Sequence, residues 1–177
     1  MAQSLEINMT AMLQRITSEY VAQEDRVRVS GECANGSTVV LWLTQRILNR
    51  LVPHLVGWLD GKAGAEPVAQ VVQEFAQHTA RAQLSAQAPV RAASAGAHSV
   101  VVHAVDMGFN GAGVALKFKD QADKVVACLQ LQATPLRQWI NILHDQYRQA
   151  GWPAGVWPQW VTGATDLQQT SCSPVLH

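Results

Sequence analysis

The chain has 177 residues, with thirteen basic side chains, thirteen acidic side chains and three cysteines. A net charge of zero excludes the basic surface expected of a nucleic-acid binder or of a protein held on anionic lipid. The cysteines show no CxxC spacing, which argues against a disulfide framework and a zinc knuckle. We therefore expect reduced thiols, no cofactor and no structural metal.

The most apolar stretch, residues 39 to 59, is long enough to cross a bilayer but carries Arg46 and Arg50. An arginine at the centre of a span costs about 2.5 to 3.5 kcal/mol, so we do not expect membrane insertion. The N-terminus places Glu6 and Asn8 where a signal peptide requires basic and apolar regions. The sequence thus predicts one cytoplasmic domain, residues 1–177, without membrane or nucleic-acid partners.

The first predicted unit covers residues 9–60 and begins with a β-hairpin. Valines alternate with arginines between 26 and 29, Asn35 and Gly36 form a turn, and residues 37–43 are rich in β-formers. The residues before this hairpin are compatible with a third strand, although Met9 to Arg15 could equally form a short helix.

The spacing of apolar residues then changes to a helical period, which predicts a helix over 44–60 with Thr44 as its N-cap. Pro53 is expected to bend or interrupt this helix, because proline lacks a backbone donor. One stripe of the helix is formed by Ile47, Leu48, Leu51, Leu55 and Leu59. Val52, Val56 and Trp58 widen the apolar surface beyond that stripe, and we interpret them as candidate partner-binding residues.

An amphipathic helix is predicted over 66–84, with Pro67 at its first position. Its apolar stripe consists of Val68, Val71, Val72, Phe75, Thr79 and Ala82. The small and polar residues 85–97 that follow have the composition of a flexible linker.

The second predicted unit, residues 98–150, repeats the order of the first. Residues 98–109 form one predicted strand, Asn110 and Gly111 a turn, and two further β-rich runs follow. A helix then begins with Thr134 as its cap and Pro135 at its first position. The sequence therefore predicts an α+β fold, a mainly antiparallel sheet with helices on one face, built from duplicated β-meander-plus-helix units.

A tryptophan- and proline-rich arm and a tail occupy residues 151–177. Trp152, Trp157 and Trp160 lie within nine residues and could bind a partner protein. Alternatively, the arm folds back without regular structure and buries Trp157 or Trp160 against a helix such as 44–60. We favour this second arrangement.

No catalytic constellation emerges from the polar residues. His98 and His103 are five apart on a predicted strand, so they point to opposite faces and cannot share a metal ion. The sequence favours a non-catalytic protein-interaction or assembly module that associates with itself as a homo-oligomer. The alternative is a small-ligand-binding protein or enzyme with a pocket between sheet and helices. Its pocket residues would be Arg46, His54, His103 and Arg137.

Overall fold

The computed structural model describes residues 10–64, 68–91 and 98–163. Within these ranges the chain forms seven strands, five of them with seven or more residues, and three helices that each have more than seven residues. Strands and helices together form an α+β arrangement. The elements, in chain order, are β1 Ala11–Val21, β2 Arg26–Cys33, β3 Thr38–Thr44, α1 Gln45–Asp60, α2 Ala69–Ala82, β4 His98–Val101, β5 Ala104–Phe109, β6 Gly113–Lys119, β7 Val125–Gln132 and α3 Ala133–Ala150.

The strands form a mixed sheet in the order β4-β3-β2-β1-β7-β6-β5. Strands joined by tight turns pair antiparallel, as the sequence predicts for the turns at Asn35 and Asn110. However, β1 pairs with β7, and β3 pairs with β4, in parallel. The prediction of a mainly antiparallel sheet is therefore wrong, because these two pairings join segments that are distant in sequence and can run in either direction.

The sheet is curled, and the strands at its two ends, β4 and β5, follow one another directly in the chain. Only Val102 and His103 separate β4 from β5. The backbone N–H of Val102 donates to Trp42 O at 3.0 Å, and that of His103 donates to Lys119 O at 2.9 Å. The single strand predicted over 98–109 is thus two strands, because the chain passes here from pairing with β3 to pairing with β6.

The first and third helices follow their strands directly. The Thr44 hydroxyl accepts the Ile47 N–H at 3.3 Å, which confirms the predicted cap of α1. The predicted cap of α3 is wrong, because the helix begins at Ala133 after an extended Gln132. Pro135 is tolerated in this first turn, where backbone N–H groups have no partner within the helix.

One core cluster contains side chains of the curled sheet, of α1 and of α3. Helix α1 packs on β3 and β5, and α3 packs on β1, β6 and β7. Although Pro53 was expected to bend or interrupt α1, the helix continues through it, and this proline is exposed. The α1 face that carries Val52 and Val56 lies inside the core.

Three strands and a helix precede α2, and four strands and a helix follow it. Superposition of the two halves, and hence duplication, stays a prediction. The segment that follows α2 lies against β1, since the N–H of Val90 donates to Thr17 Oγ1 at 2.8 Å and Val90 is buried. The rest of the predicted linker, 92–97, and the tail, 164–177, lie outside the described residues. Among the helices that are described, none is both long and apolar enough to span a bilayer.

Candidate functional site

Helix α2 turns its polar side toward the molecule. Gln73, which is 2% exposed, Gln77 and Ala80 are buried, and we call these three residues the inner face. This face packs on α3. An amphipathic helix ordinarily buries its apolar stripe, so the orientation of α2 is the reverse of the usual one.

Hydrogen bonds hold the inner face in place. Gln73 Nε2 donates to Leu59 O at 2.6 Å and to Asp60 Oδ1 at 3.2 Å. Gln77 Nε2 donates to Arg137 O at 3.0 Å, and the Arg137 guanidinium donates to Gln73 Oε1. Because these hydrogen bonds form only in this orientation, α2 cannot rotate to bury its valines without losing buried partners of Gln73 and Gln77.

Arg137 is the charged group of this layer. It is buried, and its guanidinium carbon lies 5.3 Å from the centroid of the Trp160 ring. Burial lowers the pKa of Arg137, and the negative charge of Asp60 partly offsets that effect. A guanidinium remains protonated in proteins, so the site holds a buried cation bonded to an amide and stacked on an indole.

Substitution of Gln73 by leucine should show how strongly the inner face holds α2. Gln73→Leu removes the acceptor of the Arg137 guanidinium and the donor to Leu59 O, so we expect a loss of about 1 to 3 kcal/mol in unfolding free energy. Gln70→Leu is the control, because Gln70 is exposed on the same helix and should change stability by less than about 0.5 kcal/mol. Denaturant unfolding of both variants gives the comparison, and equal midpoints would contradict the assignment.

The opposite side of α2 is apolar and faces outward. Phe75 is 73% exposed and Val71 is 64% exposed. Val68 and Val72 extend this surface, and we call these four residues the outer face. Among the described residues, only three other large apolar side chains are exposed: Met12, Leu84 and Phe109.

The structure places most of the sequence-predicted partner residues in the core. Val52, Val56, Trp152, Trp157 and Trp160 are buried. Trp58 is half-buried, with Lys62 Nζ 4.5 Å from its ring centroid. The excess apolar surface of α1 is therefore covered within the chain itself.

The tryptophan arm packs mainly on α3. The Trp157 ring lies edge-on to Tyr147 and His144, with centroids 5.1 and 5.2 Å away. Trp160 Nε1 donates to Asp60 Oδ1 at 3.0 Å, which links the arm to the end of α1. The arm thus covers the core chiefly over α3 rather than over a helix such as 44–60. Residues 159–163 form a short helical segment where irregular chain was expected.

The residues predicted for a ligand pocket are dispersed. Arg46, His54 and His103 are exposed, whereas Arg137 is buried between α2 and α3. A cleft of about 630 Å³ lies between β1, the start of α3 and the segment after α2. None of the four predicted residues is among the described residues that line it. Trp139 is the aromatic residue among the described residues that line this cleft.

Sequence reasoning identified the apolar stripe of α2 but missed the inner face. The available signal was the pair Gln73 and Gln77, four residues apart and therefore on one side of a helix. Arg137, their partner, is sixty or more residues away in the chain, so periodicity could not connect them.

No protein-family model, curated protein or solved structure matches this chain. The class of the protein therefore rests on its geometry. It is an α+β protein with a curled, mixed sheet and one helix whose apolar face is exposed.

Proposed function

We propose that this chain is a protein-interaction module that binds a partner protein on the outer face of α2. The exposure of Phe75 and of three valines on one helical face is the observation that carries the proposal. Full burial of such a side chain contributes about 1.5 to 3 kcal/mol, so a partner that covers this face has a large driving force.

The spacing of the outer face supports a protein partner. Val68, Val71, Val72 and Phe75 occupy positions i, i+3, i+4 and i+7. This is the anchor pattern of helices that bind an apolar groove or another helix. The four side chains expose roughly 400 Å², a size at which apolar patches on soluble proteins are commonly functional. The complementary partner surface is accordingly apolar and elongated along a helix.

The orientation of α2 also supports the proposal. If the valines and Phe75 served the core of this chain, the helix would bury them, yet buried hydrogen bonds of Gln73 and Gln77 hold them outward. A chain that buries glutamines and exposes a phenylalanine gives up stability in the monomer. When a partner covers the outer face, binding restores that stability.

Photo-crosslinking in the cells that produce the protein tests the proposal. A benzophenone amino acid at position 75 should give a discrete protein adduct on irradiation. The same probe at Gln70 should not, because Gln70 is exposed but lies roughly 140° around the helix axis from Phe75. The proposal fails if both positions give the same adducts or if position 75 gives none.

A further inference from the structure

We infer that the partner on the outer face of α2 is a second copy of this chain, bound antiparallel about a two-fold axis near Phe75. The inference rests on the proposed function and names its partner. Three properties of the face point to self-pairing: the partial symmetry of its positions about Phe75, the absence of ionisable side chains from its stripe, and its area.

Two of the three valines of the outer face, Val68 and Val71, have a mirror position about Phe75 on the same stripe. Val68 and Ala82 are exposed seven residues before and seven residues after Phe75, so all three lie along one line of the helix. In an antiparallel pair centred on Phe75, this side chain meets its own copy. Val68 then opposes Ala82 of the second copy, and Val71 opposes Thr79 of the second copy. Val68 and Val71 thus each meet a smaller side chain, which favours a close approach of the two helices, while Val72 opposes the exposed His78 of the second copy.

Charge also favours a second copy. The stripe positions 68, 71, 72, 75, 79 and 82 carry no ionisable side chain. The chain as a whole has thirteen basic and thirteen acidic residues and a net charge of zero. Two copies therefore meet without long-range repulsion, and a protein of zero net charge is prone to associate with itself. A highly charged partner would gain no electrostatic attraction on this face.

The area sets the expected strength of the dimer. Two outer faces of roughly 400 Å² each, together with their polar rims, bury roughly 1,000 Å² or slightly more, near the lower limit for specific interfaces. We therefore expect a dissociation constant of about 1 to 100 µM rather than an obligate dimer.

Two segments of this chain outside the described residues, 92–97 and 164–177, are poorer occupants of the face. Residues 92–97 consist only of alanine, serine and glycine. In the tail, 164–177, the aliphatic residues larger than alanine are Leu167, Val175 and Leu176. Neither segment repeats the i, i+3, i+4, i+7 spacing that a second α2 supplies.

Disulfide trapping of the purified full-length chain tests the inference. Cys33, Cys128 and Cys172 are first replaced by serine, and Phe75→Cys is compared with Gln70→Cys. Mild oxidation should link two copies through position 75, which lies on the axis, and should leave the position 70 variant unlinked. Equal linkage at both positions, or none at position 75, overturns the inference.

Light scattering without any crosslink gives an independent measurement. At a concentration above the expected dissociation constant, the mass should approach twice the chain mass of 19.2 kDa. Phe75→Glu should raise the dissociation constant at least about 100-fold, because the substitution places two like charges at the axis. Gln70→Glu is the matched control and should leave the constant unchanged.

The two proposals fail in different ways. If the purified chain stays monomeric at 200 µM while the photo-probe at position 75 captures a different protein in cells, the second-copy inference is wrong and the interaction module stands. If the photo-probe in the monomer maps to residues 1–9 or 164–177 of its own chain, both proposals are wrong. Circular dichroism of Phe75→Glu controls for folding, and its spectrum should match the wild type.

Discussion

Trp157→Ala is expected to lower the unfolding free energy by about 3 to 5 kcal/mol. Trp157 is 7% exposed, and its ring lies edge-on to the rings of Tyr147 and His144. Removal of the indole leaves a cavity over α3 that the proline-flanked arm cannot easily close. Typical domains are stable by about 5 to 15 kcal/mol, so the loss would be a large share of the total.

Denaturant unfolding of two further variants separates ring packing from other effects. Among the described residues, the indole Nε1–H of Trp157 has no hydrogen-bond partner, so Trp157→Phe should cost far less than Trp157→Ala. Phe75→Ala should leave the midpoint nearly unchanged because Phe75 is exposed, provided that the protein concentration is below the dissociation constant of the proposed dimer. An unchanged midpoint for Trp157→Ala would show that the arm is not part of the core.

Gly113→Ala is expected to cost about 3 kcal/mol, the upper part of the range for overpacked sites. A Cβ atom built at Gly113 would lie 2.4 Å from the backbone oxygen of Leu131. Backbone cannot move aside like a flexible side chain, so β6 and β7 would have to separate where Gly113 pairs with Gln132. The turn at Asn110 would be disturbed too, since Asn110 Oδ1 accepts the Gly113 N–H at 2.8 Å.

Gly111→Ala is the matched control in the same turn. No described atom lies within 4 Å of a Cβ built at Gly111. Thermal unfolding should therefore show a lowered midpoint for Gly113→Ala alone. If both variants melt together with the wild type, the close approach of β6 and β7 at Gly113 is not a constraint on the fold.

Local features of the fold were predictable because neighbouring residues determine them. The Asn35–Gly36 turn is present, with Gly36 at a φ of 79° and its N–H bonded to Cys33 O at 2.9 Å. Thr44 caps α1 as its position before a helical period indicates. Each of these features depends on residues within a few positions of one another, and their chemistry is visible in the sequence.

Candidate-site residues were harder to predict, because burial is decided by distant parts of the chain. Val52 and Val56 carry the same apolar pattern as Val71 and Phe75, yet the first pair is buried and the second exposed. No property of the individual residues distinguishes the pairs. The difference lies in what each helix meets, since α1 packs on the sheet and α2 packs on α3.

The sequence by itself determined the hairpin turns at Asn35 and Asn110, the approximate bounds of the three long helices and the apolar stripe of α2. Only the tertiary structure decided the parallel pairing of β1 with β7, the curl of the sheet and the outward orientation of that stripe. The physical reason is that periodicity reports which side chains share a face, whereas the partner of a face is chosen by contacts such as Gln77 with Arg137, sixty residues apart. A helix with two usable faces can satisfy either hydrogen bonds or apolar burial inside its own chain, and here the hydrogen bonds of the inner face prevail.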